Sequence, residues 1–275
     1  MHFDFPIIDI HTHLRNDISG HTKLAKESGI DVVVYMANCD PPLDDLDKIK
    51  KSLETERHCR AIPVSAITKG LQGKELVDVD KIRTLVAGFS DDGKYLEDLN
   101  LLQEILKKGV LVMAHCGPSY EAGIKNPILE TEFIKRYLGV LEKTGGKLHI
   151  QHISKKKSVD LIQNAKQRGI TISCETCPHY FTYTQGDLDV KVNPPLALEE
   201  DILAIKEGLS DGTIDVIASD YAPEPRETGI AGFRSFIPLS YGLVLEGVLT
   251  GEQLKEKLYT NPKKIIESGG YKLNL

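Results

Sequence analysis

The chain has 275 residues, 41% hydrophobic and 27% charged, an ordinary globular composition that excludes a disordered chain, a collagen and a disulfide miniprotein. Thirty-four Lys and Arg against forty Asp and Glu give a formal charge of −6, and the longest basic run is Lys155-Lys156-Lys157, so neither nucleic acid nor an anionic membrane is an expected partner. No apolar run approaches the ~20 residues of a membrane span. The opening MHFDFPIIDIHTH lacks the basic and apolar regions of a signal peptide. The five cysteines, Cys39, Cys59, Cys116, Cys174 and Cys177, are scattered through apolar segments, which suits a reducing, cytoplasmic setting. Cys174 and Cys177 form one Cys-x-x-Cys, read as buried thiols because no second Cys/His pair stands at a zinc-ribbon spacing.

Apolar runs predict strands, in chain order, at 6–10, 31–37, 61–67, 84–89, 109–114, 147–153, 170–175 and 214–219. Stretches with helical spacing and charged faces lie between them, including 43–56, 95–108, 129–143, 156–168 and 199–209, and Gly29, Gly109, Gly146 and Gly169 stand where helix C-caps belong. Near-continuous apolar strands imply burial on both faces, hence a parallel sheet covered by helices. Eight such units in this length favour a closed (β/α)8 barrel, read as a single domain over 1–275. No G-x-G-x-x-G turn follows the first strand, which argues against a dinucleotide-binding sheet.

In such a barrel chemistry belongs where the strands end. The first strand ends in Asp9-Ile10-His11-Thr12-His13-Leu14-Arg15, the fourth in Ser90-Asp91-Asp92-Gly93, the fifth in His115, the sixth near His152 and the eighth in Ser219-Asp220-Tyr221. Residues two apart on a strand share a side, so His11 and His13 can chelate one metal. Four imidazoles and two carboxylates meeting at one mouth would be costly to desolvate without cations. Two divalent ions bridged by a carboxylate resolve that cost. The mixed ligands suit Zn²⁺, with Mn²⁺, Co²⁺ or Fe²⁺ as other choices, and such a pair activates water for hydrolysis at neutral pH. Spacing alone does not separate Asp91 from Asp92. His2, His21, His58 and His149 read as surface or core residues, with His149 on the other face of its strand from His152; His179 reads equally as a support of the site or as a buried structural histidine.

The segments IIDIHTHLR, MANCDPP, FSDDG, MAHC, HISKKKSVDLI, VNPPL, DGTIDVIASDYAP and GIAGF resemble, in order and spacing, the dihydroorotases of the amidohydrolase superfamily, over almost the whole chain. FSDDG and NPPL are more specific to the dihydroorotases than to hydantoinases and allantoinases. The resemblance implies a metal-dependent hydrolase barrel that opens L-dihydroorotate to N-carbamoyl-L-aspartate, reversibly, in pyrimidine biosynthesis. By position, His11, His13 and Asp220 hold the first metal, His115 and His152 the second, and Asp92 bridges them. Asp220 also serves as the proton shuttle. Arg15 and Asn38 bind the substrate carboxylate, while Asn193 and backbone near Gly232 hold the ring amides.

Three features depart from the family pattern. Glu224 stands where a histidine usually helps bind the anionic substrate, Ala197 where an arginine follows NPPL, and the chain begins at the first strand and stops soon after the last helix, so the accessory β-sandwich of relatives is not expected. Arg226, two residues past Glu224, is expected to supply the missing positive charge. The competing readings are another cyclic amidohydrolase, acting on a hydantoin or allantoin, and a noncatalytic scaffold. A small-molecule substrate is expected, and a homodimer is compatible with the sequence.

Overall fold

The computed structural model describes residues 3–116, 130–196, 198–223 and 229–275. Among them, seven short strands carry the apolar runs: β1 (Ile8–Thr12), β2 (Val32–Tyr35), β3 (Arg60–Pro63), β4 (Leu111–Ala114), β5 (Lys147–Ile150), β6 (Ser173–Thr176) and β7 (Val216–Ile217). All pair in parallel, β1-β2-β3 in one sheet and β4-β5-β6-β7 in the other. Two seams join the sheets into a ring.

At the first seam the expected fourth strand shrinks to a few residues around Phe89, which bridges both Ser65 and Val112. Ala87 N donates to Pro63 O at 2.9 Å, Phe89 N to Leu111 O at 2.9 Å, and Met113 N to Phe89 O at 2.8 Å. Gly88 permits this fit, since a Cβ there would stand 3.0 Å from Leu111 O. At the second seam Tyr221 bridges Thr12, and His13 N donates to Tyr221 O at 2.7 Å. The eighth expected strand thus keeps only Val216–Ile217 as regular ladder and closes the ring with the residues that follow.

The helices are α1 (Ile18–Glu27), α2 (Leu46–Leu53), α3 (Val79–Ile82), α4 (Leu99–Lys107), α5 (Glu130–Thr144), α6 (Lys156–Gln167), α7 (Pro178–Thr182), α8 (Glu199–Asp211), α9 (Phe233–Leu245), α10 (Gly251–Lys255) and α11 (Asn261–Ser268). Asp17, Asp45 and Asp98 cap the starts of α1, α2 and α4, accepting from Gly20 N, Lys48 N and Asn100 N at 2.8–2.9 Å. Among the described residues no helix is long and apolar enough to cross a membrane.

Alternation along the strands divides the core into two layers. Val33, Tyr35, Val112, Ile150 and Cys174 join the apolar layer that also contains helix residues such as Ile105 and Ile162, whereas Ile8, Val32, Val34, Ile62, Met113 and Val216 form the inner cluster. Ile265 and Ile266 of α11 belong to that inner cluster as well. The C-terminal segment closes the end of the barrel where strands begin. Arg60 Nη1, from the first residue of β3, donates to Asn274 O at 2.7 Å, and Lys147 Nζ, from the first residue of β5, to Ser268 O at 2.5 Å. With that end sealed, the mouth where strands end is left for chemistry.

Gly269 sets how closely this plug seats, because a Cβ there would stand 2.9 Å from both Ala87 O and Leu111 Cβ. Gly269→Ala is expected to destabilise the protein by about 1–3 kcal/mol through overpacking, measured by urea unfolding, with no change in what the mouth binds.

Candidate active site

The mouth begins with an irregularity in β1. Its register against β2 slips between Asp9, paired with Val33, and Thr12, paired with Tyr35, so one more residue is used on β1 than on β2. The slip lets Ile10 join the inner apolar cluster while the next residue, His11, also turns inward. Asp9 steadies the slip, its Oδ1 accepting from His11 N at 3.3 Å and from Ser219 N across the seam at 3.0 Å. Burial pushes the Asp9 carboxyl up to about 7, against hydrogen bonds from Ser219 and His11.

The six expected ligands converge. His11 Nε2 lies 2.5 Å from Asp92 Oδ2 and 3.5 Å from Asp220 Oδ1. His13 Nε2 lies 3.0 Å from Asp220 Oδ1 and 3.7 Å from Asp92 Oδ2. On the far side of Asp92, Oδ1 is 3.2 Å from His115 Nδ1, which is 2.8 Å from His152 Nε2. All six residues are buried. His152, Asp220 and Arg15 hold φ of 34°, 47° and 53°, a left-handed conformation that non-glycine residues adopt at a cost of about 1–3 kcal/mol and that collects at functional sites. At His152 and Asp220 it turns the chain as each strand ends.

The arrangement answers the Asp91–Asp92 question. Asp91 is buried but faces away: Oδ1 accepts from Ile67 N at 2.8 Å and Thr68 N at 3.0 Å, and Oδ2 from Thr68 Oγ1 at 2.5 Å. Burial raises its pKa despite these bonds. Only Asp92 meets the histidines.

Among the residues expected to meet substrate, Asn38 donates from Nδ2 to Asp92 O at 3.3 Å, while its Oδ1 lies 3.0 Å from His13 Nδ1. Arg15 Nη1 donates to Asn38 O at 3.2 Å. Asn193 Oδ1 is buried without a hydrogen-bond partner. Gly232 precedes α9, and its N–H is already donated to Ile230 O at 2.9 Å, so its own amide is not available to a ring. Arg226, Glu224 and Ala197 lie outside the described residues.

His149 differs from expectation. Its ring is not on the other side of the strand from the site: β5 ends at Ile150, the left-handed turn at His152 resets the alternation, and His149 and Gln151 both face inward. His149 Nε2 lies 3.0 Å from Glu175 Oε2, and Glu175 Oε1 is 2.5 Å from His11 Nδ1. Gln151 Nε2 donates to Asp92 Oδ2 at 3.4 Å. Glu175 and Gln151 were missed in the sequence reading; a lone acid inside ITISCET was the available signal. Cys174 points outward, donating to Thr213 O at 3.4 Å, whereas Cys177 lies beside Asp220 at the mouth, so the two thiols of the Cys-x-x-Cys face different surroundings. His179 is buried, its Nε2 has no hydrogen-bond partner, and desolvation holds it down at about 4. It shares a third group of closely spaced ligand atoms with Cys177 and Asp220.

Metal ions fit this donor set. Ligand atoms of His11, His13 and Asp92, and again of Asp92, His115 and His152, lie within 4.8 Å of one another. His115 Nε2 and His152 Nδ1 are buried without a hydrogen-bond partner. Desolvation and the neighbouring His115 and His11 hold His152 down at about 3, so it is neutral at physiological pH and offers one ring lone pair. Burial also works against charge on His11 and Asp92, yet the carboxylates around His11 raise it well above the usual range, and His11 and His13 hold Asp92 well below its own. The two acids have separable roles. Asp91→Ala, which strands two buried amides, should lower unfolding free energy by about 2–4 kcal/mol while leaving metal stoichiometry unchanged, as read by denaturation and elemental analysis of one preparation.

No protein-family model matches the chain. Among curated proteins it is 34% identical over 309 residues to the dihydroorotase of Trichlorobacter lovleyi, an alignment covering 96% of this chain and 73% of that protein. Among solved structures it is similar to L-hydantoinase (dihydropyrimidinase) from Arthrobacter aurescens, at TM-score 0.82 and 21% identity, over 95% of this chain and 70% of that one. It is also similar to the inactive dihydroorotase-like domain of the Chaetomium thermophilum CAD-like multifunctional protein, at TM-score 0.72 and 18% identity, over 95% and 79%. The two structural likenesses bear on the fold, which is the expected (β/α)8 barrel. With the sequence relationship extending over nearly all of this chain, the protein belongs to the dihydroorotase family of metal-dependent cyclic amidohydrolases.

Proposed function

We propose that the 275-residue chain acts as one barrel domain that hydrolyses L-dihydroorotate, reversibly, to N-carbamoyl-L-aspartate for pyrimidine biosynthesis in the cytoplasm, using two Zn²⁺. The observation that carries this reading is the convergence of His11, His13, Asp92, His115, His152 and Asp220 on one mouth, with Asp92 between the two histidine pairs. His11, His13 and Asp220 would hold one ion and His115 and His152 the other, with Asp92 shared. Bound ions of this kind lower the pKa of water toward ~7 and polarise a carbonyl.

The chain's own groups supply the rest. Asp220, whose carboxyl is held below its ordinary range by His11 and His13 against the effect of burial, stays ionised and can accept a proton from the attacking water. It returns that proton to the leaving ring nitrogen as the amide C–N bond breaks, giving the carbamoyl NH₂; the second proton of the water leaves to solvent as the new carboxyl group ionises to carboxylate. The Arg15 guanidinium matches the substrate carboxylate with a two-pronged fork; Asn38, Asn193 and backbone near Gly232 orient the ring, and Arg226 adds positive charge. A noncatalytic scaffold has no physical need for six buried, mutually facing ligands. Another cyclic amide is the alternative substrate, favoured by Glu224 in place of the family's histidine.

Elemental analysis should find two divalent ions per chain, and Asp92→Ala should lose the paired occupancy; one ion at saturation would remove the two-metal reading. Purified enzyme should hydrolyse dihydroorotate in preference to hydantoin or allantoin, and the reverse preference would reassign the ring. Asp220→Asn should lower turnover by ~10²–10⁴ without unfolding the protein. Arg226→Ala should raise KM for dihydroorotate far more than it lowers kcat, as lost uniform binding does.

A further inference from the structure

Behind the six expected ligands runs a buried polar string that the proposed chemistry does not use. Glu175, on β6, is wholly buried in the barrel. Its Oε1 lies 2.5 Å from His11 Nδ1 and its Oε2 lies 3.0 Å from His149 Nε2; His149 Nδ1 in turn lies 2.9 Å from Ser173 Oγ. A proton inventory fixes the direction of each bond. An ionised carboxylate only accepts, so His11 must present Nδ1–H and His149 must present Nε2–H. His149 Nδ1 is then an acceptor, met by the Ser173 hydroxyl. His11 Nε2 faces Asp92, 2.5 Å away, and Asp220 beyond it; a metal ion at the mouth would take the place of the proton that this second contact with a carboxylate requires, while the Nδ1–H toward Glu175 stays.

A competitor stands close by. Gln151 Nε2 is 3.3 Å from His11 Nδ1 and 3.4 Å from His11 Nε2, and an amide N–H aimed at Nδ1 would favour the opposite tautomer, with the proton on Nε2 and no lone pair toward the mouth. Glu175 is the only ionised acceptor on the Nδ1 side among the described contacts.

We propose that Glu175 is a positioning residue, which locks His11 in the Nδ1–H tautomer with Nε2 directed at the metal mouth, and that His149 and Ser173 pin Glu175 in that pose. The proposal rests on the metal-binding reading above. It concerns metal affinity and ring orientation, since Glu175 lies behind the histidine and touches neither substrate nor the reacting atoms.

The test is chelator competition with Zn²⁺ on the purified full chain, comparing wild type with Glu175→Gln, Glu175→Asp and His149→Ala. Glu175→Gln should bind the ion at the His11 side about 10–100-fold more weakly, with part of the loss recovered in Glu175→Asp. His149→Ala, which keeps the carboxylate but frees one oxygen, should weaken binding in the same direction by a smaller factor. The strongly hydrogen-bonded Nδ1–H proton of His11, visible by NMR in the Zn-loaded wild type, should vanish in Glu175→Gln. Wild-type affinity in Glu175→Gln, or in His149→Ala should Glu175→Gln fail to fold, would overturn the positioning role. A wild type that binds no divalent ion would instead sink the metal-binding reading on which it rests.

Discussion

Asp92 stands where three strand ends meet, with one oxygen against His11 and His13 and the other against His115. Burying a carboxylate among imidazoles in a dry mouth is unfavourable unless every group finds a compensating charge or ligand, and much of the local backbone is arranged to satisfy that condition. The register slip in β1 turns His11 inward directly after an inward Ile10. Left-handed turns at His152 and Asp220 bend two strand ends toward the same point. Asp9, Asn38 and Glu175 then hold His11 and His13 from behind, by backbone at Asp9 and by ring nitrogen at the other two.

The barrel separates this costly region from the part that stabilises it. Its lower interior is apolar, built from Ile8, Val32, Ile62, Leu111 and Val216 and closed by Ile265 and Ile266 of the C-terminal helix. Burial there contributes on the order of 25 cal/mol per Å², and Arg60 and Lys147 fasten the plug by donating to carbonyls of the final segment. Strands β5 and β6 break the pattern, because His149, Ser173 and Glu175 carry polar groups down into the barrel. A merely structural barrel would fill those positions with Val or Ile; here they reach the back of His11.

The sequence revealed the barrel because its strands are double-sided apolar runs, and revealed the mouth because polar residues follow five of those runs. What it could not reveal depends on departures from regular alternation. The fourth strand reads as TLVAGF but pairs only near Phe89, since Gly88 fits it against Leu111 rather than extending the ladder. Period-two reasoning correctly put His11 and His13 on one side, yet it would have set both opposite Ile10; only the slip makes all of them inward. The same reasoning failed for His149, where the turn at His152 resets the count. Asp91 and Asp92 are adjacent acids in one turn, and the difference between them is made by Ile67 and Thr68, far away in sequence. The buried residues of α9 and α11 pack on the barrel wall and floor.

Activating water and choosing a ring make different demands on the mouth. Histidines and carboxylates at strand ends can activate water for any cyclic amide, so they do not discriminate dihydroorotate from a hydantoin. Discrimination requires an anion site at a fixed distance from the hydrolytic centre. Arg15 is joined to that centre through two hydrogen bonds: its Nη1 donates to Asn38 O, and Asn38 Oδ1 meets His13 Nδ1. The left-handed φ at Arg15 gives this short path its turn, just two residues after His13. A carboxylate held at Arg15, as proposed, would thereby be placed relative to His13 by the backbone and one shared asparagine.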